Sequence, residues 1–103
     1  MPSPAYAVGE LAHLRAPADT PLRLPQELGT FKELYRALWD DDGPAINEVL
    51  SRPGWIRTFD GQLVRIIDIY ENGLQVEILD GPSAGAQAWA MLQQLRHEAS
   101  RAR

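Results

Sequence analysis

The chain has 103 residues, 45% of them hydrophobic and 23% charged, which is the size and composition of one globular domain over residues 1–103. Its net charge of −4 argues against nucleic acid as a partner, because binding to phosphates requires a concentrated basic surface. The sequence has no cysteine, no apolar run near the roughly 18 residues of a membrane span and no signal-peptide pattern, so we expect a cytoplasmic protein without disulfides, thiolate metal sites or membrane contact.

The first predicted element is a strand over Tyr6–Arg15. Residues 1–5 before it are rich in proline and serine, and we expect them to be frayed, like residues 100–103 at the other end of the chain. Residues 16–25 contain three prolines, which exclude a helix there and favour an extended loop.

A first helix is predicted over residues 31–40, opened by Thr30. Glu33 follows Thr30 by three residues, so the pair fits a capping box in which each side chain satisfies a free backbone N–H of the first turn. The apolar side chains recur at i, i+3, i+4 and i+7 and form one stripe that we expect to face the core: Phe31, Leu34, Tyr35 and Leu38.

A second, shorter helix is predicted over residues 44–51. The sequence Asp40–Gly43 ends the first helix, and Asp42 can cap the second, which has Pro44 in its first turn. Its inward-facing residues are expected to be Ile46, Val49 and Leu50. The two helices form a helical insertion over residues 30–51, placed after the first strand.

A β-hairpin is the strongest local signal in the chain. Trp55–Thr58 is a short extended piece, and a turn over residues 59–61 leads into a strand that ends at Tyr70. Asn72-Gly73 between two β-branched runs predicts a type I′ turn, because that turn needs positive φ at both central residues. Period-2 alternation in the second strand predicts three buried side chains: Leu74, Val76 and Ile78.

The region after the turn at residues 81–85 allows two interpretations. By residue propensity, residues 84–102 form a helix, which would make the whole of residues 86–99 helical. The alternative, which we favour, is a short strand through Trp89 followed by one or two helical turns from Met91.

Residues 53–95 resemble the bacterial SH3-like and KOW-like small β-barrels. The family pattern is a glycine, an alternating strand, a hairpin, a second strand, Gly-Pro-x-x-Gly and a Trp-containing strand that ends at a leucine. The matching residues here are Gly61, Val64, Ile66, Gly73, Val76, Ile78, Gly81, Pro82, Gly85, Trp89 and Leu95. The resemblance implies an α+β fold, a small antiparallel SH3-like barrel with a two-helix insertion and an N-terminal strand. Ala86 stands where such barrels often carry Lys or Arg, which is against nucleic-acid contacts.

Catalytic and metal signals are weak. Residues 81–85 match G-x-S-x-G, the nucleophile elbow, but the elbow also needs a parallel sheet and triad partners, and the only downstream histidine is His97. We therefore interpret Ser83 as a turn residue and expect no enzyme activity. The acidic run 40–42 lacks the spacing of a calcium loop. His13 and His97 are far apart in sequence, so we expect no metal and no cofactor.

The aromatic residues are the best candidates for an interaction surface, because aromatic side chains carry much of the energy of protein interfaces. We assign this role to Trp39, Trp55, Tyr70 and Trp89, and expect Trp39 to be the most exposed, since it lies just off the helical stripe. The function we favour is a non-catalytic binding or assembly module that contacts another protein or its own copy. The alternatives are an accessory nucleic-acid-binding, KOW-like domain and, third, a small enzyme.

Overall fold

The computed structural model describes residues 6–16, 21–71 and 73–97 and has an α+β fold. The predicted fraying of residues 1–5 and 100–103 concerns segments outside these residues. In chain order, the elements are β1 Leu11–Leu14, β2 Leu22–Pro25, α1 Leu28–Trp39, α2 Gly43–Leu50, β3 Trp55–Thr58, β4 Leu63–Tyr70, β5 Gly73–Ile78, β6 Gln87–Met91, a 3₁₀ turn Leu92–Gln94 and β7 Leu95–His97.

The strands form two antiparallel sheets. Five strands pair in the order β6-β5-β4-β1-β7, and β2 pairs with β3 in a separate two-stranded ribbon. Strand pairing among the described residues does not close these sheets into a barrel. The main core lies on one face of the five-stranded sheet, the inner face, and is lined by alternating residues such as Val64, Ile66, Val76 and Ile78, with Leu24 from the ribbon.

The predicted hairpin is present, and Leu74, Val76 and Ile78 are buried as expected. The turn, however, is displaced by one residue. Tyr70 pairs with Gly73, so the turn begins at Glu71, which has a positive φ of 52° as tight hairpin turns require. Asn72 lies outside the described residues, and Gly73 belongs to β5.

A β-bulge at Ile67 changes the face on which the end of β4 presents its side chains. Ile66 pairs with Val76 and Asp68 with Gln75, so one extra residue is inserted in β4. Without the bulge, Tyr70 would share the inner face with Ile66, because side chains alternate with period two. With it, Tyr70 lies on the opposite, outer face, the side on which α1 packs.

The helix α1 begins earlier than predicted, and the predicted capping box is wrong. Its N-cap is Glu27, which makes no side-chain capping bond, so Thr30 lies inside the first turn. Glu33 instead pairs with Arg52 at 2.8 Å, and hydrogen bonds donated to Glu48 and Glu33 raise the pKa of Arg52. These contacts connect the two helices.

The buried stripe of α1 also differs from the prediction. Phe31, Leu34 and Ala37 are buried, whereas Leu38 is 44% exposed. The buried positions of α1 are therefore spaced three residues apart, at 31, 34 and 37.

The helix α2 follows the prediction closely. Asp42 is its N-cap, and the carboxylate Oδ1 accepts a hydrogen bond from the backbone N–H of Ala45 at 3.2 Å. Val49 is buried, and Ile46 and Leu50 are half-buried.

Two predicted boundaries along the chain were wrong. The first strand spans only Leu11–Leu14, although Tyr6 before it is buried in the core. Residues 22–25, predicted as loop, form β2, so the helices connect the two strands of the ribbon and do not follow the first strand directly. Pro25 is tolerated because β2 is an edge strand of the two-stranded ribbon.

The C-terminal segment is a strand and a single 3₁₀ turn, as the favoured interpretation proposed, and the long helix is wrong. The side chain of Gln94 accepts a hydrogen bond from the backbone N–H of Met91 at 2.8 Å, which helps to define the turn. The chain then continues into β7, which the sequence did not predict and which pairs with β1.

Candidate functional site

A surface groove of about 500 Å³ lies between α1 and the end of the β4–β5 hairpin. We call it the aromatic groove. It is lined by residues of these two elements: Phe31, Lys32, Tyr35, Arg36, Trp39, Asp40, Tyr70 and Glu71.

One wall of the groove is a ladder of aromatic rings along α1. Phe31, Tyr35 and Trp39 are spaced four residues apart, so they lie on one helix face. The ring centroids of Phe31 and Tyr35 are 6.0 Å apart, and those of Tyr35 and Trp39 are 6.5 Å apart, both in stacked arrangements. Stacking of this kind restricts the rings and gives the wall a defined shape.

The ladder is anchored in the protein at its lower end. Phe31 is buried against Trp89 on β6, with ring centroids 6.2 Å apart, and Met91 completes this second, smaller core. Gly73 makes room for the ring: a Cβ at this position would lie 2.6 Å from Cε2 of Phe31, well inside van der Waals contact. The absence of a side chain at Gly73 therefore allows α1 to approach the sheet.

The upper end of the ladder is open to solvent. Trp39 is 79% exposed, and Tyr70 on the opposite wall is 39% exposed. Lys32 extends over Tyr70, with its ammonium nitrogen 5.1 Å from the ring centroid, in a cation–π contact. The groove thus presents aromatic surface at its entrance, with one cation already stacked against it.

The charges that line the groove are balanced. Lys32 and Arg36 are basic, and Asp40 and Glu71 are acidic. Arg36 also approaches the carboxylate of Asp40 at 3.9 Å, one turn along the helix. The lining of the groove therefore carries no net charge.

The structure places the four candidate aromatic residues in three different environments. Trp39 is exposed, as expected, and Tyr70 faces it across the groove. Trp89 is only 5% exposed and supports the floor of the groove from below. Trp55 lies elsewhere, half-buried on β3, with Arg23 stacked over its ring.

Sequence reasoning did not identify Phe31 and Lys32 as part of this site. The i, i+4, i+8 spacing of Phe31, Tyr35 and Trp39 was visible in the sequence and is the signal that places these rings on one face. The opposite wall was not predictable from local pattern, because it depends on the bulge in β4.

Ser83 is in the environment of a turn residue. Its hydroxyl donates a hydrogen bond to the backbone carbonyl of Arg57 at 3.0 Å. The turn is fixed further by Gly81, which has a φ of 80° and where a Cβ would collide with the amide of Gln62. The preceding strand belongs to an antiparallel sheet, so the parallel-sheet setting of a nucleophile elbow is not present here.

The two histidines are the remaining candidate residues from the sequence. The ring nitrogen Nδ1 of His13 lies 3.0 Å from the backbone carbonyl of Gly61, while the side chain of His97 lies outside the described part of the chain. Within the described residues, no group of three or more potential ligands could hold a metal ion, and no helix is long and apolar enough to cross a membrane.

Comparison with known proteins finds no family model, no curated protein and no solved structure that significantly matches this chain.

Proposed function

We propose that this protein is a non-catalytic, cytoplasmic binding module whose aromatic groove receives an apolar or aromatic side chain of another protein or of a second copy. The observation that carries this proposal is the exposure of Trp39, which is 79% accessible although it ends a ladder of stacked rings. A tryptophan held in this way loses little conformational entropy on binding and can bury a large area.

The chemistry of the groove favours a protein over a nucleic acid. Its four charged side chains balance, and the chain as a whole carries a net charge of −4. A phosphate backbone requires a continuous basic surface, whereas a protein interface uses aromatic anchors surrounded by a polar rim. The groove has this second composition, with Trp39 and Tyr70 at its entrance.

The fold that we propose for this module is related to the SH3-like small barrels. The arrangement that supports this assignment is a first strand, a long connection that contains the helices, a three-stranded meander, and a last strand that returns to pair with the first. A Gly-Pro turn and a single 3₁₀ turn flank the Trp-containing strand β6.

The test begins with selection of binding peptides from a random displayed library against the intact chain. The affinity of the selected peptides is then measured for the unmodified chain and for Trp39→Ala. We expect Trp39→Ala to weaken binding by about tenfold or more, the loss typical of an aromatic anchor. Leu92→Ala is the control, because Leu92 is also an exposed large apolar residue but does not line the groove.

Equal loss of affinity in the two variants, or none in either, would contradict the proposal. Sedimentation of the chain alone distinguishes the two kinds of protein partner, since self-association through the groove must disappear in Trp39→Ala. Salt-sensitive binding to duplex DNA or RNA with a Kd of about 10⁻⁶ M would instead support the nucleic-acid function.

A further inference from the structure

A second surface lies on the exposed face of the ribbon formed by β2 and β3. We call it the arginine face, and it consists of Arg23, Arg57, Trp55 and Phe59. Arg23 and Arg57 are direct partners in the antiparallel register, so their side chains project from the same face of the ribbon. Both are exposed to solvent. We propose that this face docks an acidic segment of a partner protein.

The arginine pair is unfavourable for folding. Like charges that lie directly opposite each other across two strands destabilise the pairing. Among the other described arginines, Arg36, Arg52 and Arg96 each pair with a carboxylate, whereas Arg15 and Arg65 do not. Neither arginine of the face has a carboxylate within 4.0 Å among the described residues, although the chain is acidic overall. A local arrangement that works against stability is expected mainly at functional sites.

Both guanidinium groups are held in place by aromatic rings. The Cζ atom of Arg23 lies 5.3 Å from the ring centroid of Trp55, and that of Arg57 lies 5.8 Å from the ring centroid of Phe59. These cation–π contacts limit the freedom of two long side chains, which lowers the entropy lost when a ligand binds.

Arg23 has a structural role that leaves most of its donors available. Its Nη2 donates a hydrogen bond to the backbone carbonyl of Leu50, the last residue of α2, at 2.9 Å. A guanidinium carries five N–H donors, so the other four remain available for a ligand. No hydrogen bond of the Arg57 side chain is found among the described residues.

The chemistry of the pair fits carboxylates carried on a protein segment. Two adjacent guanidinium groups can bind neighbouring carboxylates through paired, charge-assisted hydrogen bonds. Two arginines are too few to follow a nucleic-acid backbone, which requires a longer basic surface.

The test uses a fluorescent octaglutamate peptide as the probe, titrated at low salt into the intact chain. We expect measurable binding that weakens as salt is added, and a loss of at least about tenfold in the double variant Arg23→Gln, Arg57→Gln. Arg65→Gln is the matched control, since Arg65 is an exposed strand arginine whose register partner is Glu77, a residue of opposite charge. It should bind the probe within about twofold of the unmodified chain.

A stability measurement accompanies the titration. Removing one charge in Arg57→Gln should leave the melting temperature unchanged or raise it, because it relieves the repulsion across the ribbon. A marked fall in the melting temperature would show that Arg57 is there for stability and would overturn the proposal.

Three other outcomes would overturn it. They are equal binding of octaglutamate by the double variant and the unmodified chain, absence of binding at low salt, and tighter binding of single-stranded oligothymidine than of octaglutamate. Trp39→Ala should retain octaglutamate binding, so this test and the test of the aromatic groove can fail independently.

Discussion

Gly73 lies directly beneath the ring of Phe31, and this contact determines how closely α1 approaches the sheet. The φ of Gly73 is not positive, so a side chain at this position would add little backbone strain. The effect of a substitution at Gly73 should therefore come from overpacking against Phe31.

We expect Gly73→Ala to lower the free energy of unfolding by about 1–3 kcal/mol, the range typical of overpacked cores. Urea unfolding measures this change. Gly29→Ala in α1 is the control, because a Cβ there meets no atom within 4 Å and alanine favours a helix by up to about 1 kcal/mol. If Phe31→Leu in the same chain does not reduce the loss caused by Gly73→Ala, the contact has been assigned wrongly.

Tyr6 is buried in the main core, and its burial raises the pKa of the phenol, with a smaller contribution from Glu10. The unfolded chain then ionises Tyr6 at a lower pH than the folded chain does. Above the unfolded pKa of 10.0, the unfolded state binds fewer protons, so stability falls as pH rises.

The expected result is a loss of stability in the unmodified chain between about pH 8 and pH 11 that is smaller in Tyr6→Phe. Urea unfolding at the two pH values measures it, and the difference between the two chains isolates the contribution of Tyr6. An identical pH dependence in the two chains would show that Tyr6 is not responsible.

Single residues also show the limit of prediction from sequence. The Asn-Gly pair correctly predicted a hairpin, but the turn was placed one residue too late. Gly73 is needed because the ring of Phe31, on a helix remote in sequence, leaves no room for a side chain. The Asn-Gly pair alone does not distinguish this steric need from a need for positive φ. Asp42, in contrast, was predicted correctly as a cap because capping depends only on neighbours in sequence.

At the scale of elements, α1 is held by a few buried side chains. Leu34→Ala should lower the free energy of unfolding by about 2–5 kcal/mol, as expected for a buried leucine. Leu38→Ala is the control on the same helix, since Leu38 is exposed, and should cost less than about 0.5 kcal/mol. Equal losses in the two variants would mean that the buried face of α1 has been misidentified.

The turn over residues 81–85 is expected to be structural. Ser83→Ala removes the hydrogen bond to the carbonyl of Arg57 and should cost about 0.5–1.5 kcal/mol of stability. The unmodified chain should not react with serine-directed phosphonate probes, as measured by intact mass. Covalent labelling at Ser83 would refute this interpretation and make a nucleophile role the stronger one.

Element types were more predictable than their boundaries and partners. The two helices, the β4–β5 hairpin and the strand at Trp89 follow from periodicity and turn residues. The strands β2 and β7 were missed because they are short and gain their stability from partners remote in sequence. Tyr70 was predicted as an interaction residue, but the bulge that turns it towards α1 has no local signature, so its position opposite α1 could not be predicted.

At the scale of the whole molecule, two exposed surfaces with different chemistry share no residue. The aromatic groove is balanced in charge and offers Trp39, whereas the arginine face is basic and includes Trp55. Each of the three tryptophans therefore lies in a different region: Trp39 in the groove, Trp55 on the arginine face, and Trp89 buried beneath the groove.

The most direct test of the proposed function is an NMR titration that follows the three tryptophan indole N–H signals as a library-selected peptide is added. The signals are assigned with single Trp→Phe variants. If the groove binds the partner, the Trp39 signal must shift most, and the Trp55 signal must stay in place. A shift confined to Trp55, with Trp39 unmoved, would place the ligand on the arginine face and contradict the assignment of the groove as the binding site.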